Sequence, residues 1–372
     1  MKRKLLVTSD SFLPRWDGIS RFLAIILLNL KKDFNISVLV PEFKGRLKKV
    51  EGIEIIRFPL IKILFGDIYF SKPNNMKQYV SDADAVFNQT IGPIGKSAIK
   101  NAKKLGKPII SYVHSIEWEL ASESVKRFKR FVRWYVKKRA KRLYNKCNAL
   151  LVPSREVANI LSKEGIQTKK IIVKLGVNTL RFTPAIDKNS IRKKINLPAD
   201  KLIIGFCGRI GREKDIPTLY SAFKSIREKN ENVVLLIVGG GVNIKEIKKD
   251  KNVILAGAVN NVVPYLQSMD IYVLPSLTET SSLSTLEAMS CGLPVLVTPV
   301  GSLKEYIVEG ENGLFFQKGD VKNLIEKLNK LIRSENLRKT LGESARETVV
   351  GKYEWKKTIE SIAKILIKIP NS

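Results

Sequence analysis

The chain of 372 residues is long enough for two domains with separate cores. Hydrophobic residues at 44% and charged residues at 27% are ordinary for a globular protein, and they exclude a disordered, collagenous or disulfide-stapled chain. Against this background, 66 Lys and Arg and 35 Asp and Glu leave a net charge of +31, which calls for an anionic partner: nucleic acid, a lipid surface or a phosphorylated small molecule. The excess lies mostly in residues 1–180, with 36 basic and 14 acidic side chains. The cysteines Cys147, Cys207 and Cys291 are far apart and odd in number, as in a reducing compartment, and predict neither a disulfide nor a zinc site.

In chain order, Met1–Ser9 starts with the positive charge of a signal peptide, but its apolar run is short and lacks a cleavage pattern, so it reads as a first buried strand. The apolar runs Phe22–Leu30 and Ile53–Phe65 fall short of the roughly 20 residues that cross a bilayer. Strands are predicted at Lys4–Thr8, Asn35–Val40, Ala85–Asn88, Pro108–Val113 and Ala149–Pro153, each followed by turn residues and an amphipathic stretch. After a basic connector near Phe182–Pro198, a second series follows at Leu202–Cys207, Val233–Val238, Val253–Ala256, Ile271–Leu274, Pro294–Thr298 and Gly313–Phe316. The fold class is therefore α/β, two doubly wound parallel-sheet domains of Rossmann type facing across a cleft, with ligands outside the carboxyl ends of the strands. The domains are expected at 1–184 and 185–352, with a C-terminal helix in 353–372 returning to the first.

The run from Leu274 to Gly301 is the most specific. Glu279 and Glu287, eight apart, bracket Thr280–Ser284, small hydroxyl residues that open an apolar helix before Gly292-Leu-Pro. The unpaired N–H groups of a helix N-terminus cradle phosphate, and flanking carboxylates grip sugar hydroxyls. A helix cap with two exposed glutamates is the alternative.

Glu-x7-Glu followed by Ala-Met-x-Cys-Gly-Leu-Pro-Val resembles the hallmark of retaining GT-B glycosyltransferases of the group 1 type (glycosyltransferase family 4). Other matches come in order: Phe12-Leu-Pro-Arg-Trp-Asp-Gly-Ile19 resembles the family's first glycine-rich loop, and Gly176-Val-Asn-Thr-Leu-Arg-Phe-Thr-Pro184 its end-of-domain signature. Gly208-Arg-Ile-Gly-Arg-Glu-Lys214 is similar to its donor-phosphate loop, and Leu235-Leu-Ile-Val-Gly-Gly-Gly241 to the next strand and turn. The chain departs from the pattern at Asp17-Gly18, where paired glycines are usual, and at Thr280-Ser281-Ser282, where Gly-Phe-Gly is usual.

The resemblance implies roles. Arg209 and Lys214 neutralise the donor diphosphate, the charge that most needs stabilisation in such chemistry. Glu287 holds the ribose hydroxyls. Glu279 stands beside the transferred sugar, supporting an oxocarbenium-like transition state. Ser282 and Leu283 turn backbone amides toward phosphate, and Gly18 lets the first loop approach donor or acceptor without a Cβ. His114, the single histidine, ends the strand Pro108–Val113, where it either satisfies the strand end or, as the family implies, contacts sugar or acceptor. No cofactor or metal is implied, the nucleotide sugar being a substrate with UDP as the expected nucleotide.

Three further motifs are set aside. Thr90-Ile-Gly-Pro-Ile-Gly-Lys-Ser97 lacks the first glycine of a phosphate-binding GxxxxGK[ST] loop, Asp82-Ala-Asp84 precedes a strand where acids commonly cap, and Gly239–Gly241 reads as a turn.

Val125–Lys146 holds 11 Lys or Arg and no acid in 22 residues, with Phe128, Phe131, Val132 and Tyr135 at helical spacing. It reads as a basic amphipathic helix in the headgroup region of an anionic bilayer, contacting it through Lys126, Arg127, Phe128, Lys129, Arg130, Phe131, Arg133 and Trp134. A core-facing apolar stripe with a solvated basic face is the alternative. The function expected is transfer of a sugar, with retention, from a nucleotide-diphosphate sugar to a lipid or lipid-linked acceptor, by a cytoplasmic protein peripheral on the inner face of the cell membrane. A soluble sugar or sugar-phosphate acceptor is the alternative. Nucleic-acid binding without catalysis is set aside because it leaves the ordered donor signatures unexplained. Lysine enrichment linked to high-temperature life could account for part of the charge.

Overall fold

The computed structural model describes residues 2–15, 17–45, 50–62, 69–241, 247 and 250–369. The chain forms two compact units, one of Met1–Ala121, Arg130–Lys174 and Thr358–Ser372, the other of Ser122–Lys129 and Leu175–Lys357.

In the first unit, β1 (Arg3–Thr8), β2 (Phe34–Pro41) and β3 (Ile53–Phe58) precede a small antiparallel hairpin of β4 (Leu60–Lys62) and β5 (Tyr69–Ser71). β6 (Ala85–Asn88), β7 (Ile109–Tyr112), β8 (Ala149–Val152) and β9 (Lys170–Ile172) follow. The sheet order is β3-β2-β1-β6-β7-β8-β9, all parallel. β6, β7 and β8 are buried at every residue, including the polar Asn88 and Ser111, and are otherwise apolar apart from the Tyr112 hydroxyl. The strands of this sheet missed by sequence are its edges, and the hairpin β4–β5 was missed as well. β3 carries Glu54 and Arg57 and is mostly half-buried, and β9 is three residues long with a lysine. The apolar run Ile53–Phe65 is spent on β3 and β4; residues 63–68, like Trp16 of the first loop, lie outside the described residues.

In the second unit, β10 (Leu202–Cys207), β11 (Val233–Val238), β12 (Val253–Gly257), β13 (Ile271–Leu274), β14 (Val295–Val297) and β15 (Leu314–Phe315) lie in the order β12-β11-β10-β13-β14-β15, again all parallel. Each sheet reverses direction of growth once, at β1/β6 and at β10/β13, and the loops leaving those strands diverge there.

The boundary falls after Lys174, not after Pro184. Val177 and Phe182 are buried in the second core, and Val177 exchanges backbone hydrogen bonds with Tyr353 (2.8 Å) and Trp355 (3.0 Å). The expected connector is likewise part of this unit. Arg192, in the helix Lys188–Lys194, is buried, donates to the Ser268, Ala199 and Lys201 carbonyls and pairs with Asp270 at 2.6 Å. The last helix runs Trp355–Ile367, and from Thr358 on it belongs to the first unit. There Thr358 donates to the Lys174 carbonyl at 2.8 Å and Arg3 to the Ile369 carbonyl at 2.7 Å. Among the described residues, no helix is long and apolar enough to cross a membrane.

The loop after β11 is built by backbone approach. Gly239 has φ +135, and a Cβ there would meet the Gly208 carbonyl oxygen at 1.9 Å, while Ile210 N donates to the Gly240 carbonyl at 2.8 Å. These glycines let two loops pack main chain on main chain. Gly239→Ala should lower stability by about 1–3 kcal/mol. Gly351→Ala, in a helix with nothing within 4 Å of the new Cβ, should raise it by about 0.5–1 kcal/mol. Thermal unfolding of both variants checks the contrast.

Candidate active site

In the second unit the site grows from the loops after β10 and β13. Arg209 Nη2 lies 2.5 Å from Glu213 Oε1, and Glu213 is 2% exposed. Its backbone carbonyl accepts from Leu277 N at 2.7 Å, tying the 3₁₀ turn Arg212–Lys214 to the loop after β13. Lys214 Nζ donates to Glu279 Oε1, and Ser276 Oγ donates to the same oxygen at 2.8 Å. Ser302 N donates to the Thr280 carbonyl at 3.0 Å, and a Cβ on Gly301 (φ +55) would meet the Glu279 carbonyl oxygen at 2.0 Å, so the Glu279 turn is held by its neighbour's main chain. Both cations expected at the diphosphate are thus present on the loop after β10, each held by a carboxylate. Glu279 is no isolated carboxylate, since Lys214 and Ser276 share one of its oxygens. A polyanion entering here competes with Glu213 and Glu279 for cations already oriented, which limits the ordering cost of binding.

Beside them the helix Leu283–Ser290 begins. Ser282 is its N-cap, its hydroxyl accepting from Thr285 N at 3.2 Å, and Ser284 Oγ receives the Tyr272 hydroxyl at 2.8 Å. The first turn carries no acidic side chain to offset the helix dipole. Glu287 lies inside the helix and is 2% exposed. This rules out the alternative of a cap with two exposed glutamates: a serine caps, and Glu287 is buried. Leu283 is the first helical residue, so its N–H has no intrahelical acceptor. Sequence reasoning missed Glu213 and Ser276. The Glu-Lys pair in the 208–214 motif was the available signal for the first, and nothing in the pattern marked the second.

In the first unit Asp17 caps the helix Gly18–Leu30, accepting from Ser20 N at 2.9 Å, and is bonded by Ser11 and paired with Arg15 at 3.2 Å. Gly18 opens that helix, with no atom within 4 Å of a Cβ built on it, so no protein neighbour demands the glycine. His114 follows β7. Its Nε2 is 2.9 Å from Gln89 Oε1, and burial pushes the imidazole down to about 3.

The loop Thr90–Ser97 does have amides facing an anion, but the anion is Asp10. Its carboxylate accepts from Ile94 N (2.8 Å), Gly95 N (3.2 Å) and the Thr90 hydroxyl (2.6 Å). Asp84 accepts from Lys4 N at 2.8 Å, and among the described residues no group of three or more His, Cys, Asp or Glu could hold a metal.

The expected basic helix of 125–146 is shorter. Phe128 has φ +57, a conformation that breaks a helix, and the helix runs Lys129–Tyr144. Its core contacts are Ala140, Leu143 and Tyr144. The aromatic stripe does not face the core: Phe128 is 79% exposed, Phe131 63%, Trp134 52% and Tyr135 54%. Phe131 packs on Trp134 and Tyr135 at 5.9 and 6.5 Å, and Lys138 Nζ lies 5.0 Å over the Trp134 ring. Two of the eight expected membrane contacts have their charge engaged elsewhere, Lys129 with Glu123 at 2.7 Å and Arg133 with Glu119 at 3.6 Å. Lys137 similarly pairs with Glu164 at 2.8 Å, so one stripe of cations is tied down while Lys126, Arg127, Arg130 and Arg142 are exposed.

Two doubly wound parallel sheets, with polar loops at the carboxyl ends of their strands, are the elements of the GT-B class of α/β enzymes. Residues 187–348 match the family described as "Glycosyl transferases group 1", and residues 16–181 match "Glycosyltransferase Family 4". The chain belongs to the group 1 glycosyltransferases and is a transferase enzyme. It is 31% identical to the capsular polysaccharide biosynthesis glycosyltransferase CapM of Staphylococcus aureus over 63% of this chain and 64% of that protein. It is 26% identical to the alpha-monoglucosyldiacylglycerol synthase of Acholeplasma laidlawii over 71% and 70%. Its fold is shared by sucrose-phosphate synthase from Thermosynechococcus elongatus, with TM-score 0.81 at 18% identity over 99% of both chains. Anabaena HepE, in a structure with UDP and glucose, gives TM-score 0.75 at 16% identity over 99% and 100%.

Two groups of the first unit titrate with opposite effect. His114, lowered from 6.5 to about 3, removes stability as pH falls below 6.5, because the unfolded chain takes up a proton that the folded one refuses. Glu117, which receives the Tyr144 hydroxyl, is pushed by burial from 4.5 up to about 7 and adds stability as pH falls from 7 to 4.5. Their effects oppose one another between pH 4.5 and 6.5. Glu117→Gln should make the melting temperature fall more steeply on acidification through that window, and His114→Asn should make it fall less. Differential scanning calorimetry across the window reads both slopes.

Proposed function

We propose that the chain transfers a sugar, with retention, from a nucleotide-diphosphate sugar to a lipid or lipid-linked acceptor at an anionic membrane surface. UDP is the nucleotide favoured. The support on the donor side is the pair of oriented cations beside an acid-free helix N-terminus. As the glycosidic bond to the diphosphate breaks, charge develops on the leaving phosphate, and Arg209, Lys214 and the first-turn amides near Ser282 and Leu283 stabilise it without reorganising. Glu287 takes the ribose hydroxyls. Glu279 orients the transferred sugar and offsets positive charge at its anomeric carbon. His114 contacts a hydroxyl of the sugar or acceptor. No metal is required, because these cations and amides do the work of one, and activity should be unchanged in chelator.

The observation that carries the acceptor side is the exposure of Phe128, Phe131, Trp134 and Tyr135 together with that of Lys126, Arg127 and Arg130. Aromatic rings sit at headgroup depth, and each near-surface cation adds about 1 kcal/mol of attraction to anionic lipid. The relative named for diacylglycerol glycosylation and the HepE structure with UDP and glucose agree in kind with this acceptor and donor. The protein would then work as a peripheral protein on the cytoplasmic face of the membrane.

Vesicles containing phosphatidylglycerol should sediment the protein at low salt and lose it at high salt, and Phe131→Ala with Trp134→Ala should weaken binding about tenfold or more. No binding by the wild-type chain removes the lipid half of the proposal. Sugar nucleotides screened against a total lipid extract, read by mass, should give a product in the organic phase. A product formed only from soluble sugars or sugar phosphates identifies a soluble acceptor instead. Glu279→Gln should lower kcat by about tenfold or more with a smaller change in donor affinity.

A further inference from the structure

Within the first unit, Arg139 of the helix Lys129–Tyr144 donates through Nη2 to the Ile91 carbonyl at 2.9 Å, just ahead of the helix Pro93–Lys104. That bond seats a guanidinium beside the turn carrying Lys96, and Lys100 follows one turn on along the same face. Lys96 is half-buried, and its ammonium is held below the usual lysine range, first by the Arg139 charge, then by burial and by Lys100. Three cations thus converge from two helices, and among the described residues neither lysine's ammonium has a hydrogen-bond or ion-pair partner. Arg139 Nε is buried with no acceptor. Asp10 faces Arg139, but its carboxylate is already taken by Ile94 N, Gly95 N and the Thr90 hydroxyl. Elsewhere on the basic helix, Arg133 and Lys137 each meet a glutamate. Cations gathered without such a partner repel one another, and an oxyanion set among them removes that repulsion.

We propose that Lys96, Lys100 and Arg139 form a binding site for a phosphate monoester, the guanidinium supplying directed hydrogen bonds and the two ammonium groups the balancing charge. A dianion suits three cations of which one is already faced by Asp10. The exposed Tyr135 lies one turn before Arg139 on the same helix, so the site borders the aromatic face assigned above to the membrane. A lipid headgroup as the source of the phosphate rests on that reading; the anion site itself does not, and a soluble phosphorylated acceptor presents the same group.

Phosphatidylcholine vesicles carrying either phosphatidic acid or phosphatidylglycerol, matched in surface charge, separate recognition of a monoester from general attraction. The wild-type chain should bind the phosphatidic acid vesicles about fivefold or more tighter, and Lys96→Gln and Arg139→Gln should each abolish that preference while changing phosphatidylglycerol binding less than about twofold. Lys96→Gln leaves the Arg139–Ile91 bond in place, so it decides the matter even if Arg139→Gln disturbs the helix pairing. Lys103→Gln removes the same charge from the far end of the same helix and should keep the preference. Calorimetric titration of inorganic phosphate identifies the source: saturable binding that Lys96→Gln removes marks a site open to soluble phosphates, and the vesicle preference without it marks a headgroup site. Equal affinity for the two vesicle types with no Lys96-dependent phosphate binding overturns the proposal, as does a preference that Lys103→Gln lowers as much as Lys96→Gln. If neither vesicle is bound, the membrane reading fails, and the phosphate titration alone decides the anion site.

Discussion

A cation held ready by a carboxylate is the interaction on which the second unit's site depends. Lys214 on the loop after β10 reaches Glu279 on the loop after β13, and Arg209 reaches the buried Glu213, whose own carbonyl takes the amide of Leu277. The parallel sheet makes this possible. Both loops leave the same edge of adjacent strands at the place where the strand order reverses, so side chains 65 residues apart in sequence become neighbours. Each pairing also meets an electrostatic need: partly buried cations without partners would be costly, and the carboxylates offset that cost while fixing direction. A diphosphate bound there, as proposed, would exchange one anion for another instead of ordering two free side chains.

The first unit solves a different problem with the same net charge. Its basic helix is not uniformly basic in effect, because Arg133 and Lys137 are tied to Glu119 and Glu164. The buried Ala140, Leu143 and Tyr144 seat the helix on the core, and the aromatic side chains face outward. Exposed rings of this size are costly in water and are retained where they meet a partner. The +31 charge therefore divides between a few directed cations in the second unit and a broad exposed face on the first.

Much of this was legible in the sequence, for physical reasons that can be named. Central parallel strands are buried on both faces and so read as unbroken apolar runs, as β8, β11 and β13 do. Edge strands β3 and β9 carry charges and escaped notice. The two glutamates were visible as spacing and the Arg-Lys pair through the family resemblance, but the pairing of Lys214 with Glu279 was not, since only the sheet brings those two loops together. The loop Thr90–Ser97 shows the converse. Its amides do bind an anion, and the anion is a side chain of β1's loop, which no local pattern could disclose. The boundary expected at the end of the signature Gly176–Pro184 lies ten residues late, since Val177 and Phe182 pack in the second core and Val177 pairs through its backbone with Tyr353 and Trp355.

The central claim is that Arg209 and Lys214 form the seat of the donor diphosphate, and calorimetric titration of UDP into the wild-type chain and into Arg209→Ala and Lys214→Ala tests it most directly. The account predicts saturable binding that weakens with salt and falls about tenfold or more in each variant, the magnitude expected when one charge-assisted hydrogen bond to phosphate is lost. Equal UDP affinity in all three proteins, with folding intact, would contradict it.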